Sequence, residues 1–162
     1  MTHDVPSCVP LQKYLDAFRA APGEPLISLC VAVVLLRGAF NRKLYDRHGS
    51  VLKAFAFLFE YATLRATESP SAGVGALARE QEVSYNLGRG FQYLGLRHMA
   101  VPWYERALEL HRSIVSLRPA SEPQHRSTLV TQDAAHNLIL IYRESGAANL
   151  AHGIAGRFLA VI

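Results

Sequence analysis

The sequence predicts an all-α fold of helical hairpins of repeat type, stacked as a short solenoid, and three observations carry that prediction. Apolar residues recur at helical rather than strand spacing through most of the chain. Gly and Pro gather at a few positions that would separate helices. Two stretches also match each other without a gap: YNLGRGFQYLGLRHMA from Tyr85 and HNLILIYRESGAANLA from His136, an offset of 51 residues. In that register Asn86 falls on Asn137, Leu87 on Leu138, Phe91 on Tyr142, Gly95 on Gly146 and Ala100 on Ala151.

Composition supports a folded, interacting chain. The 162 residues suit one domain or a short repeat array. Half are hydrophobic and 19% are charged, which is globular rather than disordered composition. The mean hydropathy of +0.10 is high for a chain without a membrane span and points to apolar surface kept for a partner. The longest apolar run, Leu26 to Leu36, is well short of the roughly 20 residues that cross a bilayer. Acidic Asp4, Asp16 and Glu24 before that run argue against a signal peptide. Cys8 and Cys30 are isolated, which indicates neither a disulfide framework nor a thiolate zinc site, so the chain reads as intracellular. The net charge of +4 permits acidic partners or nucleic acid, but the basic residues are scattered.

Taken in order, residues 1–9 are expected to be a flexible end. A short helix follows from Pro10, with Leu11, Tyr14, Leu15 and Phe18 on one stripe and Pro22-Gly23 as its stop. A second helix runs from about Pro25 to Phe40, and the turn NRKLYDRHG ends at Gly49, with Ser50 as the expected N-cap of a third. That third helix, VLKAFAFLFEYATLRA, is apolar nearly all round and is expected to sit between neighbours. Residues 10–67 thus form degenerate helical hairpins, and 68–78, rich in Ser, Gly and Pro, a loop.

Residues 79–162 hold the two matched units, at 81–114 and 132–162. Each has a leucine followed four positions later by an aromatic, a Gly stop, and a second helix with small residues at fixed places. The tetratricopeptide consensus has that grammar over about 34 residues. The first unit supplies Ser84, Leu87, Gly88, Phe91, Ala100, Tyr104 and Ala107, lacking only the leading Trp; the second supplies Ala135, Leu138, Ile139, Tyr142, Ala151 and Ala155. Gly88 and Ala100 are expected where the paired helices come closest, with Leu87 and Phe91 in the seam. Gly95 and Gly146 are expected to end helices in the left-handed conformation. Pro102 is placed near the first turn of its helix. The spacing of 51 residues exceeds the repeat by about 17, leaving an insert around VSLRPASEPQHRSTLVT, read as a helix extension with a loop or as an elaborated turn.

The order EVSYNLGRGFQYLGLRHMAVPWYERALEL, AAHNLILIYRESGAANLA and FLAVI, preceded by NRKLYDRHGSVLKAFAFLFEYATLR, resembles the C-terminal region of the tetratricopeptide subunit of transcription factor IIIC. The resemblance covers about residues 24–162. It implies a nuclear scaffold of RNA polymerase III transcription that holds other subunits of the factor and helps recruit initiation factor IIIB. Subunits of that family are several times longer, so the chain is expected to correspond to their C-terminal part alone.

Catalytic and metal chemistry find little support. The seven histidines show no HxxxH or HExxH spacing, and no GxSxG elbow occurs. The glycines of GRGFQYLG fall in a helix pattern rather than in a phosphate loop between strand and helix. No catalytic residue, cofactor or metal is therefore expected, and the chain is read as no enzyme. Two basic clusters are candidate partner or phosphate contacts: Arg42, Lys43 and Arg47, with Arg37 and His48, and Arg112, Arg118 and Arg126, with His111 and His125. Aromatics do not interleave with these charges, and Phe55, Phe57, Phe59, Tyr61, Trp103 and Tyr104 are read as core rather than as base-stacking platforms. The charged clamp that grips chaperone tails wants Lys or Arg before each matched Asn, where this chain has Tyr85 and His136. Phe158, Leu159, Val161 and Ile162 are expected to form an exposed docking stripe. The expected function is a protein-interaction scaffold; the alternatives are a nucleic-acid-binding helical module and a tetratricopeptide adaptor of another pathway.

Overall fold

The computed structural model describes residues 8–39, 46–68, 73–117 and 125–159, and among these every regular element is an α-helix. The chain divides into two compact units, Met1–Glu68 and Ser69–Ile162.

The first unit contains α1 (Cys8–Ala20), α2 (Pro25–Ala39) and α3 (Arg47–Thr67), with α2 packed against both others. Ser28, Val31, Ala32, Leu36 and Ala39 recur at helical spacing and bury one face of α2; Ala54, Leu58 and Tyr61 do the same on α3. Phe18 meets Phe57 edge to face at 5.1 Å and ties α1 to α3. Arg47 Nε donates to the carbonyl of Ala39 at 2.7 Å and so satisfies a carbonyl at the α2 end.

Two expectations for this unit are corrected. The N-cap of α3 is Asp46, not Ser50: the Asp46 carboxylate accepts from Gly49 N at 2.8 Å, while Ser50 lies inside the helix with its hydroxyl donating to the Asp46 carbonyl. A side chain at Gly49 would overlap that carboxylate, which explains the glycine. Asp46→Ala should therefore cost about 1 kcal/mol in urea denaturation, and Ser50→Ala only a few tenths. The second correction concerns enclosure. The apolar α3 buries only its Ala54-Leu58-Tyr61 stripe; Phe55 and Phe57 are half-buried, while Phe59 is 48% and Leu52 73% exposed. The buried stripe meets α2 and Phe57 meets α1, which leaves Leu52 and Phe59 exposed on the remaining face.

The second unit contains α4 (Val74–Tyr93), α5 (Arg97–Leu117), α6 (His125–Glu144) and α7 (Ala148–Phe158). The hairpins α4–α5 and α6–α7 are joined by contacts of α5 and α4 with α6. The segment expected as a loop at 68–78 is helical from Val74, with Gly73 before it at φ +131°. The insert contributes helix at both ends, since α5 runs on to Leu117 and α6 begins at His125; residues 118–124 lie outside the described residues. Pro102 is in the second turn of α5 rather than its first, on an exposed face.

Both hairpin turns close identically. Gly95 N donates to Gln92 O and Leu96 N to Phe91 O, and 51 residues on Gly146 N donates to Arg143 O and Ala147 N to Tyr142 O. This is the Schellman pattern, which needs a left-handed residue; Gly95 and Gly146 have φ of +77° and +81°.

The core of this unit joins Ala100, Tyr104, Ala107 and Leu108 of α5 to Ala134, Ala135, Leu138 and Ile141 of α6. The expected docking stripe at 158–162 is corrected here: Phe158 and Leu159 are half-buried against this cluster, and Arg112 lies over the Phe158 ring at 5.6 Å. Val161 and Ile162 lie outside the described residues.

Candidate protein-interaction surface

The residues singled out by the self-match occupy the interior of the second unit. Leu87, Gly88, Ala100, Tyr104, Ala107, Leu138 and Ala151 are buried, and Phe91 and Tyr142 are half-buried against the same cluster. Gly88 is where α4 comes closest to α5. A Cβ built there would lie 2.9 Å from the Tyr104 ring, inside contact distance. The second repeat inverts this pair: Ile139 stands in the place of Gly88 and Ala155 in the place of Tyr104. Bulk has moved from the second helix to the first, and no close approach is needed.

Polar side chains hold the three helices α4, α5 and α6 in register. Gln81, buried, donates through Nε2 to the Ala107 carbonyl at 3.0 Å and to Thr131 Oγ1 at 2.9 Å. Tyr104 donates its hydroxyl to Gln92 Oε1 and accepts from Asn137 Nδ2. Tyr142 donates to Glu105 at 2.7 Å. Asn137 was visible in the sequence as a matched position; the Gln81–Thr131 bond joins residues 50 apart and had no signal there. At the exposed edge Arg106 reaches Glu80 at 2.7 Å and Arg97 reaches Glu144 at 2.6 Å, pairs of modest stabilising value.

On the face shared by α4 and α6, Tyr85 donates to Asp133 at 3.4 Å and lies beneath Arg89, whose guanidinium carbon is 5.6 Å from the ring. Neighbouring His136, Leu140 and Tyr93 are exposed. The two positions of a charged clamp therefore carry a tyrosine engaged within the unit and a histidine.

Of the six basic candidates, Arg42, Lys43 and Arg118 lie outside the described residues, as does the side chain of Arg126. Arg47 bonds the end of α2 and Arg112 covers Phe158, so both described arginines have contacts within their own units.

Three tyrosine hydroxyls resist ionisation. Burial pushes Tyr104 far above the ordinary value of 10.0 and Tyr85 upward, the latter against the pull of Arg89; burial and the bond to Glu105 push Tyr142 up to about 12. A raised folded value means that their contribution is complete below pH 10 and is lost as pH climbs through the folded values. Stability measured by urea midpoint should hold up to pH 10 and fall between pH 10 and about 12, and Tyr142→Phe should make that fall shallower.

No protein-family model matches the chain. Three curated proteins are similar to it over nearly its whole length. General transcription factor 3C polypeptide 3 of Homo sapiens is 36% identical over 141 residues, 87% of this chain and 14% of that protein. Transcription factor tau subunit sfc4 of Schizosaccharomyces pombe is 34% identical over 148 residues, 90% and 14%. Transcription factor tau 131 kDa subunit of Saccharomyces cerevisiae is 26% identical over 140 residues, 86% and 12%. The chain thus spans about one seventh of the length of the relatives it matches.

Proposed function

Because the chain is a homologue, over nearly all its length, of one segment of the transcription factor IIIC (tau) subunits, we propose that it is a nuclear scaffold element that holds other protein subunits in RNA polymerase III transcription. The observation that carries this reading is the repeat itself. Two hairpins with the same turn bonds, 51 residues apart, form a stacked surface in the segment that three such subunits share. Stacked helical hairpins present extended side-chain surfaces suited to binding protein. The role proposed is binding, with no catalytic step; contact with initiation factor IIIB belongs to the same reading.

A nucleic-acid role is secondary. Of the described arginines of the basic clusters, Arg47 and Arg112 serve contacts within their units and Arg37 is exposed, and the Phe158 ring beside Arg112 is half-buried. Affinity purification of the tagged chain from nuclear extract, with mass spectrometry, tests the proposal. Subunits of transcription factor IIIC should be the enriched proteins. Their absence, with the chain folded and recovered, would remove the assignment.

A further inference from the structure

The groove between α6 and α7 is where the second repeat departs from the first, and we propose that it seats an acidic amphipathic α-helix of a partner protein. The groove encloses about 370 Å³ and is lined by Ile139 and Arg143 of α6 and by Ala148, Ala151, His152 and Ala155 of α7. Ala151 and Ala155 stand 51 residues after Ala100 and Tyr104. On α5 that stripe is covered by a helix, since Ala134, Ala135, Leu138 and Ile141 of α6 close over Ala100, Tyr104, Ala107 and Leu108. The α7 groove continues the same type of interface into solvent and has the form of a helix seat.

Size and charge define the occupant. Tyr104 shares its buried cluster with small residues of α6, Ala134 and Ala135. The groove floor is formed instead by Ala148, Ala151 and Ala155 beside Ile139 and carries no aromatic ring, so a helix that fits it can bring a large apolar side chain. Arg143 and His152 line the groove and Arg157 follows on α7, which carries no Asp or Glu; Glu144 is held by Arg97. An apolar stripe flanked by carboxylates matches both floor and rim, and a basic helix is repelled. The proposal rests on the scaffold reading in taking a protein as the occupant.

The test uses the full chain and a synthetic 20-residue peptide of the α6 sequence carrying Gln132→Glu, Ala135→Phe and His136→Glu; the control peptide has lysine at the two glutamate positions. Fluorescence anisotropy should show saturable binding of the acidic peptide and at least about tenfold weaker binding of the control. Ala155→Tyr, which puts an aromatic ring into the groove, should weaken binding at least about tenfold. Because that variant could disturb folding, exposed Arg143→Glu provides a second reading, with a loss of about tenfold expected. No saturable binding, or binding indifferent to both substitutions, would overturn the proposal. So would self-association of the chain, seen in sedimentation, that Ala155→Tyr abolishes, since the groove would then belong to a second copy. The scaffold reading is separable: if the unaltered chain recovers no factor subunits, that reading fails while peptide binding still reports on the groove.

Discussion

Gly88→Ile is expected to destabilise the second unit by about 3 kcal/mol or more in urea denaturation, and Tyr104→Ala is expected to cost less in that background than it does alone. The buried Gly88 leaves no room for a first side-chain carbon beside the Tyr104 ring, 2.9 Å from where that carbon would stand. The ring cannot swing away, because it is fully buried and its hydroxyl is bonded to Gln92 and Asn137. The gain in helix propensity, about 0.5 kcal/mol, is too small to offset the clash. Tyr104→Ala alone should cost about 4 kcal/mol, as loss of a buried aromatic does. Together the two changes reproduce the Ile139–Ala155 arrangement of the second repeat, so the double variant should be about 2 kcal/mol more stable than additivity predicts. Strict additivity would mean that the two positions do not share one space.

The second large effect lies between the hairpins. Leu138 is fully buried where α6 meets α5, and Leu138→Ala should cost about 3 kcal/mol through lost burial and the cavity left behind. Leu150, on α7 of the same hairpin, is 55% exposed, and Leu150→Ala should change stability by less than about 0.5 kcal/mol. Comparable losses at the two leucines would contradict the packing of α6 on α5. Such a loss is large against the 5–15 kcal/mol typical of a whole domain.

Much of this fold was readable from residue spacing. The self-match pointed to both left-handed glycines and to the close approach at Gly88, because each depends on contacts within one hairpin. What depends on neighbours was harder to read. Asp46 and Ser50 are both good capping residues four positions apart, and only the backbone path decides that Asp46 does the capping. Phe158 looked exposed because nothing in its own helix covers it; Arg112, 46 residues earlier, does. The apolar α3 suggested full enclosure, yet Leu52 and Phe59 remain in solvent. The groove between α6 and α7 had no signal in residue spacing, and its meaning needed the α5–α6 contact for comparison.

The scaffold role proposed for this chain rests on its likeness to one segment of the three relatives. Replacing the homologous segment of the tau subunit sfc4 in Schizosaccharomyces pombe with this chain, and measuring which transcription factor subunits co-purify with the chimera, tests that proposed role. The chimera is expected to retain those subunits, and the same chimera with Gly88→Ile to lose them. A chimera that is expressed and folded, yet purifies without them, would contradict it.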